Sequence, residues 1–386
     1  MGKRLKLGVI TDEFFDASLG RLGGFGWAAR RLGEIFNGDP SLDVELVYVA
    51  GEHVATPDRA EAQVHGSRVI LRQRSRLANL RAMQREHFDL LLTIDYNLGY
   101  SVYLRALPRT PAIVWVRDPR TPADAARILA VRMPGADTGV PQGLMSHDGR
   151  SLARIQREAT VLRRRLLLAT PTPLLVRKLE GAYGFEPWNF HLLPNPVGFV
   201  PIELRKSVQP TVAFLARLDP YKRPWLFTEL ARHFPQVEFR VLGHSHFSGP
   251  GSFDTSNLPP NVRLLGHVGE TEKQRLLSEA WVAVNTSVHE GLAVSFLEAL
   301  ACETPLLSCV NTGYVVSRFG IHTGIFDGSG VESIDAFRAG LERLLTNAPL
   351  RADLGARGRA WVQSVHTVPA FVARFDRLAR LVGARR

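Results

Sequence analysis

Cysteine is almost missing from this chain: among 386 residues only Cys302 and Cys309 occur. Two thiols cannot build a disulfide framework, and their scarcity fits a reducing compartment. Long hydrophobic runs are missing as well, since no apolar stretch reaches the roughly 18–20 residues that a membrane-spanning helix needs. The opening "MGKRLKLGVITDEFF" passes from basic residues into one short apolar run and then acids, so no signal peptide is expected. Zinc-ligand spacing, aromatic RNA-binding signatures and helix-turn-helix patterns are also lacking. The net charge of +11 therefore does not point to nucleic acid. The expected location is the cytoplasm.

What remains is a soluble globular composition, 45% hydrophobic and 22% charged. The length is large for one core and calls for two domains. The basic excess is mostly arginine and spread along the chain, with its densest cluster in "RSLARIQREATVLRRRLLLA". The plain reading of that cluster, Arg163-Arg164-Arg165 included, is a solvated helix face. A second reading is peripheral contact of this basic amino-terminal-domain surface with the inner face of an anionic membrane.

Short apolar strands alternate with longer helical patterns, which is the signature of parallel βαβ units. "LKLGVIT", "VELVYVA", "FDLLLTID", "AIVWVRD", "RRRLLLATP" and "FHLLPNPV" read as strands of a first sheet. "QPTVAFLARLD", "VEFRVLGH", "NVRLLGHV", "WVAVNTSV" and "TPLLSCV" read as strands of a second, with a helix over 291–302 before the last. Pro194, Pro196, Pro201 and Pro210 interrupt helix and sheet alike and mark the boundary. Residues 119–150, rich in Pro, Gly and Asp, read as a long loop or small insertion. Apolar residues at 371, 372, 375, 378, 379 and 382 form a helical stripe in the tail. The expected division is 1–197, 198–365 and a closing helix at 366–386 that returns to the first domain.

In open α/β sheets, ligands sit beyond the carboxyl ends of the strands. Three strand exits there carry chemistry: "FLARLDPYK" with Arg217 and Lys222, "VLGHSHF" with Gly243, and "NTSVHEGLA" with Glu290. Arg217 offers a planar fork and Lys222 a point charge, both suited to a diphosphate. A helix beginning near Gly291 would present free N–H groups to the same anion. On one such helix Glu290 and Glu298 would lie about 12 Å apart along the axis and about 80° apart around it. Each would then flank the anion, placed to hold the hydroxyls of a sugar.

"FLARLDPYKRP", "LLGHVGETEKQRLLSEAWVAVNTSVHEGLAVSFLEALACETPLLS" and the "LLPNPV" linker together resemble glycosyltransferase family 4. The combined Arg-x4-Lys and Glu-x7-Glu spacing carries the likeness over 195–325, and "GRLGGFGWAARRL" resembles the family's glycine-rich first loop. The resemblance implies the GT-B fold, two Rossmann-like parallel-sheet domains facing across a cleft. It implies a retaining, front-face hexosyl transfer from a UDP- or GDP-linked sugar to an acceptor that the sequence does not name. Arg217 and Lys222 would hold the donor diphosphate, Glu290 the sugar and Glu298 the ribose. Gly291, Leu292 and Ala293 would offer amides, Val268 would lie against the base, and Gly23 and Gly24 would approach the phosphates. No metal or other cofactor is implied, and Asp-x-Asp, the metal clamp of the other major glycosyltransferase fold, does not occur.

Departures from the pattern are visible. Arg117 and Asp118 stand where the family usually places an acceptor-side His, and arginine cannot shuttle protons at ordinary pH. Glu303 and Thr312 replace expected glycines. These changes keep two other classes open, a GT-B epimerase or phosphorylase and a catalytically silent nucleotide-sugar-binding partner. Among the other motifs, Gly24-Phe25-Gly26-Trp27-Ala28-Ala29 is a loose dinucleotide fingerprint set too far from its strand. His244-Ser245-His246 lacks a third metal ligand at clear spacing, and Cys302 and His289 read as structural.

Overall fold

The computed structural model of the chain describes residues 4–384, apart from 17, 20–22, 52–53, 55–59, 74, 98, 135–148, 187–189 and 246–251. The strands of the first sheet are β1 (Leu5–Thr11), β2 (Val44–Ala50), β3 (Glu61–Val64), β4 (Ser67–Ile70), β5 (Leu90–Ile94), β6 (Ala112–Trp115), β7 (Leu166–Thr170) and β8 (Phe190–Leu192). Those of the second are β9 (Thr211–Leu215), β10 (Glu238–Leu242), β11 (Val262–Gly266), β12 (Val282–Asn285), β13 (Leu306–Ser308) and β14 (Gly320–His322). The helices in chain order are α1 (Gly24–Gly38), α2 (Arg76–Arg85), α3 (Tyr100–Ala106), α4 (Pro122–Ala130), α5 (Gly149–Val161) and α6 (Pro173–Tyr183). They continue as α7 (Pro224–Arg232), α8 (Glu270–Glu279), α9 (Val294–Ala301), α10 (Val315–Phe319), α11 (Ile334–Thr346), α12 (Ala348–Val365) and α13 (Val368–Leu381). Among the described residues no helix is long and apolar enough to cross a membrane.

The chain forms two compact units, Met1–Thr121 with Met145–Pro196 and Val368–Arg386, and Pro122–Leu144 with Val197–Thr367. The 119–150 segment read above as a loop or insertion of the first domain is therefore divided. Its described helix, α4, belongs to the second unit, where Asp124 meets His289 at 3.3 Å and Arg127 meets Asp327 at 3.2 Å. His366 and Thr367 also stay with the second unit, because the Val197 N–H donates to the His366 carbonyl at 2.7 Å.

The first sheet runs β3-β4-β2-β1-β5-β6-β7-β8, parallel except for β3, which turns back against β4. On one face, α1 buries Ala28, Ala29, Leu32, Ile35 and Phe36, the i, i+3, i+4 stripe of an amphipathic helix. Helix α13 lies beside it in the same unit. Phe371 and Phe375 are fully enclosed, with the Phe375 ring 5.0 Å from Phe36 and the Phe371 ring 5.8 Å from Trp115. The tail's apolar stripe thus closes the core of the first unit.

The second sheet runs β11-β10-β9-β12-β13-β14 and is parallel throughout. Numbered within the unit, this is the 3-2-1-4-5-6 order of a doubly wound nucleotide-binding sheet. Strand order reverses between β9 and β12. Connections from these two neighbours leave toward opposite faces, so a crevice opens at their carboxyl ends. The residues that follow β9 and β12 are those with Arg217, Lys222 and Glu290.

Candidate active site

Backbone bonds stitch the two strand exits together. After β9 the chain makes a single tight turn over Pro220–Lys222, closed by the Lys222 N–H on the Asp219 carbonyl at 2.9 Å. Arg223 ends that turn at φ 49 and is wholly buried. Its guanidinium donates to the Thr286 carbonyl at 2.8 Å and the Phe326 carbonyl at 2.9 Å. In return the Thr286 hydroxyl donates to the Lys222 carbonyl at 2.7 Å, and the Val288 N–H donates to the Tyr221 carbonyl at 2.9 Å. Lys222 is thereby fixed beside the segment that leads out of β12.

Three predicted residues meet here. The Lys222 ammonium donates to Glu290 Oε1 at 2.6 Å, and both side chains are nearly nine-tenths enclosed. The same oxygen accepts from the Ser287 hydroxyl at 2.6 Å and the Asn285 amide at 3.1 Å. Arg217 is joined to Lys222 through Tyr221: its guanidinium donates to the Tyr221 hydroxyl, while the Lys222 ammonium lies 4.9 Å from the Tyr221 ring centroid. Arg217 also pairs with Asp219 at 3.0 Å. Sequence reasoning missed Tyr221 and Asp219, although both lie inside the quoted "RLDPYK" motif.

Burial and pairing compete in this cluster. Burial pushes the Glu290 carboxyl up, but the Lys222 charge and the donors from Lys222, Ser287 and Asn285 overcome it, so the acid stays below its ordinary range. Burial pulls Lys222 down, and the Glu290 charge more than reverses this, leaving the ammonium above an ordinary lysine. Asp219 is raised, because its desolvation outweighs the nearby Arg217, Lys222 and His244. The pair Lys222–Glu290 therefore holds opposite charges across the neutral range, and Arg217 remains the more exposed cation.

Glu298 has a different setting from the one the helical spacing implied. Helix α9 begins at Val294, with Ala293 as its cap, so Glu290 and Gly291 precede it and the two acids do not share one helix. Gly291, Leu292 and Ala293 form the bend that brings the chain into the helix, and the first amides of α9 lack carbonyl partners within it. Glu298 is buried on α9 and accepts from Lys273 of α8 at 2.5 Å, while Lys273 also holds Glu270 at 2.9 Å. Lys273 was not singled out from the sequence; its place four residues past Gly269, on the first turn of α8, is the only sequence clue.

Elsewhere the predicted residues have structural partners. Gly243 adopts φ +144, and an added Cβ would lie 2.0 Å from the Ala216 carbonyl oxygen, so backbone packing between β9 and β10 alone demands glycine. Val268 is half-buried against the apolar cluster that holds Leu292 and Ala293. A Cβ on Gly23 would run into the Glu13 carboxylate, which accepts from the Gly26 N–H at 3.3 Å, whereas Gly24 faces open space. Glu13 thus lies at the start of α1.

Arg117 is buried, not presented. It donates to Asn195 Oδ1 at 2.9 and 3.2 Å and to the Gly24 carbonyl at 3.0 Å, and its guanidinium stands 4.7 Å from the Trp115 ring centroid. Burial lowers its pKa to about 10 despite Asp95, Glu13 and Asp118. Asp118 is held by Arg120 at 2.8 Å. His289 is enclosed next to Asp124, and Cys302 is a buried thiol raised to about 12 by desolvation. The His244 carbonyl accepts from the Leu218 N–H at 3.2 Å, while His246 lies outside the described residues.

Residues 200–361 match the family model described as glycosyl transferases group 1. That stretch of the second unit is similar to a glycosyltransferase domain. The chain also aligns over 99% of its length with the whole of a sucrose-phosphate synthase from Thermosynechococcus elongatus, at 17% identity and a TM-score of 0.73. HepE of Anabaena, solved with UDP-glucose, aligns with 98% of this chain and 100% of its own at 16% identity and a TM-score of 0.67. The pneumococcal O-GlcNAc transferase GtfA, solved with UDP and GlcNAc, aligns over 99% of both chains at 11% identity and a TM-score of 0.65. At these identities the likeness is one of fold, and that fold is GT-B. No curated protein matches the sequence. Arg217, Lys222, Glu290 and Glu298 all fall in the matched range, while α4 with Asp124 does not.

Proposed function

We propose that the protein is a retaining, metal-independent hexosyltransferase of family 4 that draws on a UDP- or GDP-linked sugar. The observation that carries this reading is the joining of Arg217, Lys222 and Glu290 at the carboxyl ends of β9 and β12, where the sheet order reverses. A diphosphate there meets two cations and the open amides at the start of α9. Glu290, kept anionic by three donors, accepts from sugar hydroxyls. Glu298 suits the ribose hydroxyls, with Lys273 holding its carboxylate in place. Relatives of the fold solved with UDP or UDP-glucose support a nucleotide-sugar donor.

In the reaction, the bond from the anomeric carbon to the diphosphate oxygen breaks while the acceptor oxygen attacks the same face. The acceptor proton passes to the departing phosphate oxygen, so no protein base is required. Charge grows on the leaving diphosphate, where Arg217 and Lys222 stabilise it without a metal ion. The two buried free thiols suit catalysis in the reducing cytoplasm.

The test is a thermal-shift screen of the full chain with UDP, GDP, ADP and their sugars, repeated in EDTA. A ligand that binds only the folded state at a hundred times its dissociation constant stabilises by about 2.7 kcal/mol. The expected result is a rise with one nucleoside diphosphate and its sugar, unchanged by EDTA, with slow release of the diphosphate from the sugar. No stabilisation by any of them would overturn the reading.

A further inference from the structure

At the amino end of β7 the first unit carries a surface that the glycosyltransferase reading leaves unexplained. Helix α5 ends at Val161, and the chain folds back sharply before Leu166. Three bonds close the turn: Leu162 N–H to the Glu158 carbonyl at 2.9 Å, Arg163 N–H to Thr160 at 3.1 Å and Arg164 N–H to Ala159 at 2.8 Å. Arg163 holds the left-handed position at φ 51, which glycine usually takes at a helix end. Arg164 is buried, and its guanidinium donates to the carbonyls of Leu104 and Leu107 at the end of α3. That anchor keeps the turn from folding inward, and Val161 stays 76% exposed and Leu162 39% exposed.

The end of α13 adjoins this turn. The Arg165 guanidinium lies against the backbone of Gly383, just past Leu381, which is 58% exposed. Arg163, Arg165 and Arg377 are exposed, and among the described residues none of them forms an ion pair. The nearest acid on α5, Glu158, is taken by Arg154 at 2.9 Å, and Asp376 of α13 sits one turn before Arg380. Behind the turn a cavity of about 250 Å³ is lined by Gln156, Thr160, Arg164 and His191, and Arg164 Nε has no hydrogen-bond partner there.

Single exposed apolar residues are ordinary. Apolar side chains at one edge, set among free arginines, answer to a surface that is anionic outside and hydrocarbon within. A nucleic acid supplies the first property and not the second, whereas an anionic bilayer supplies both. We propose that the 161–165 turn, with the end of α13, docks on an anionic phospholipid membrane. Val161, Leu162 and Leu381 enter the headgroup boundary, and Arg163, Arg165 and Arg377 meet lipid phosphates.

The only two cysteines are buried, so single-site labelling is possible. Val161→Cys and, as a control in the second unit, Val208→Cys, which replaces a residue 90% exposed, are each labelled with an environment-sensitive dye. They are mixed at low salt with vesicles of phosphatidylglycerol and phosphatidylcholine, or of phosphatidylcholine alone, without nucleotide. Expected is a blue shift at 161 with anionic vesicles only, and none at 208. In the unlabelled full chain, Arg163→Ser with Arg377→Ser weakens anionic-vesicle binding roughly thirty-fold, taking about 1 kcal/mol per cation at the surface. Val161→Asp, at an exposed position, abolishes it. Circular dichroism confirms that each variant is folded. Equal shifts at 161 and 208, no binding to anionic vesicles, or wild-type binding by both variants would overturn the proposal. Because no nucleotide is present, these outcomes are separate from the donor-site test.

Discussion

Lys222 and Glu290 tie chemistry to stability at the scale of single residues. In the proposed reaction Lys222→Met removes a cation from the leaving diphosphate, and it strands Glu290 in a buried site, since the two are bonded at 2.6 Å. Steady-state kinetics should show kcat reduced by about 10²–10³, and urea unfolding should show a loss of roughly 3–5 kcal/mol. Pairing Lys222→Met with Glu290→Gln should restore much of the stability and none of the activity, which separates the two roles. The pH dependence has a definite sign. Glu290 is depressed, so its contribution is complete above the ordinary carboxylate range and lost as pH falls through its folded pKa. Lys222 is raised, so its contribution persists below the ordinary lysine range and fades only as pH climbs through its folded value. The stability difference between wild type and the double variant should stay level from about pH 5 to 10 and shrink in stronger acid. Arg117 makes the opposite point: its partner Asn195 is 78 positions away, and no local pattern could show that this arginine is an internal strut.

Among the elements, strands were the most legible, because buried parallel strands are short, continuous and apolar, as in "LKLGVIT" and "FDLLLTID". The β3–β4 hairpin was not, since "EAQV" and "SRVI" are brief and half polar. Its turn uses His65 and Gly66, both at positive φ, in place of the Asn-Gly that advertises such a hairpin. The start of α9 was misplaced by three residues because Gly291 reads as a helix opening, while the bend through Leu292 and Ala293 is set by burial. Two tests belong at this scale. Gly243→Ala should cost at least about 2 kcal/mol in chemical denaturation, from a strained φ and a clash with the Ala216 carbonyl. Lys273→Met should raise KM for the donor more than it lowers kcat, if the α8–α9 ion pair serves to aim Glu298 at ribose.

For the whole molecule, the tail stripe of 371, 375, 378, 379 and 382 was readable as a helix from its spacing alone, and it fills the core beside α1. Phe371→Ala should therefore destabilise the first unit by about 3–5 kcal/mol. A chain of two units need not unfold in one step, so the shift should appear in the transition that a nucleoside diphosphate does not protect. The division of residues between units was harder to foresee, because α4 is held by Asp124–His289 and Arg127–Asp327, contacts between residues far apart in sequence. The chain changes units after Thr121, Leu144, Pro196 and Thr367. A single recombination point near residue 197 would take α4 from one parent and His289 from the other, so the acid at His289 Nδ1 would be whatever the first parent carries in place of Asp124. Moving the second unit whole thus takes α4 along with Val197–Thr367, two stretches of gene separated by part of the first unit.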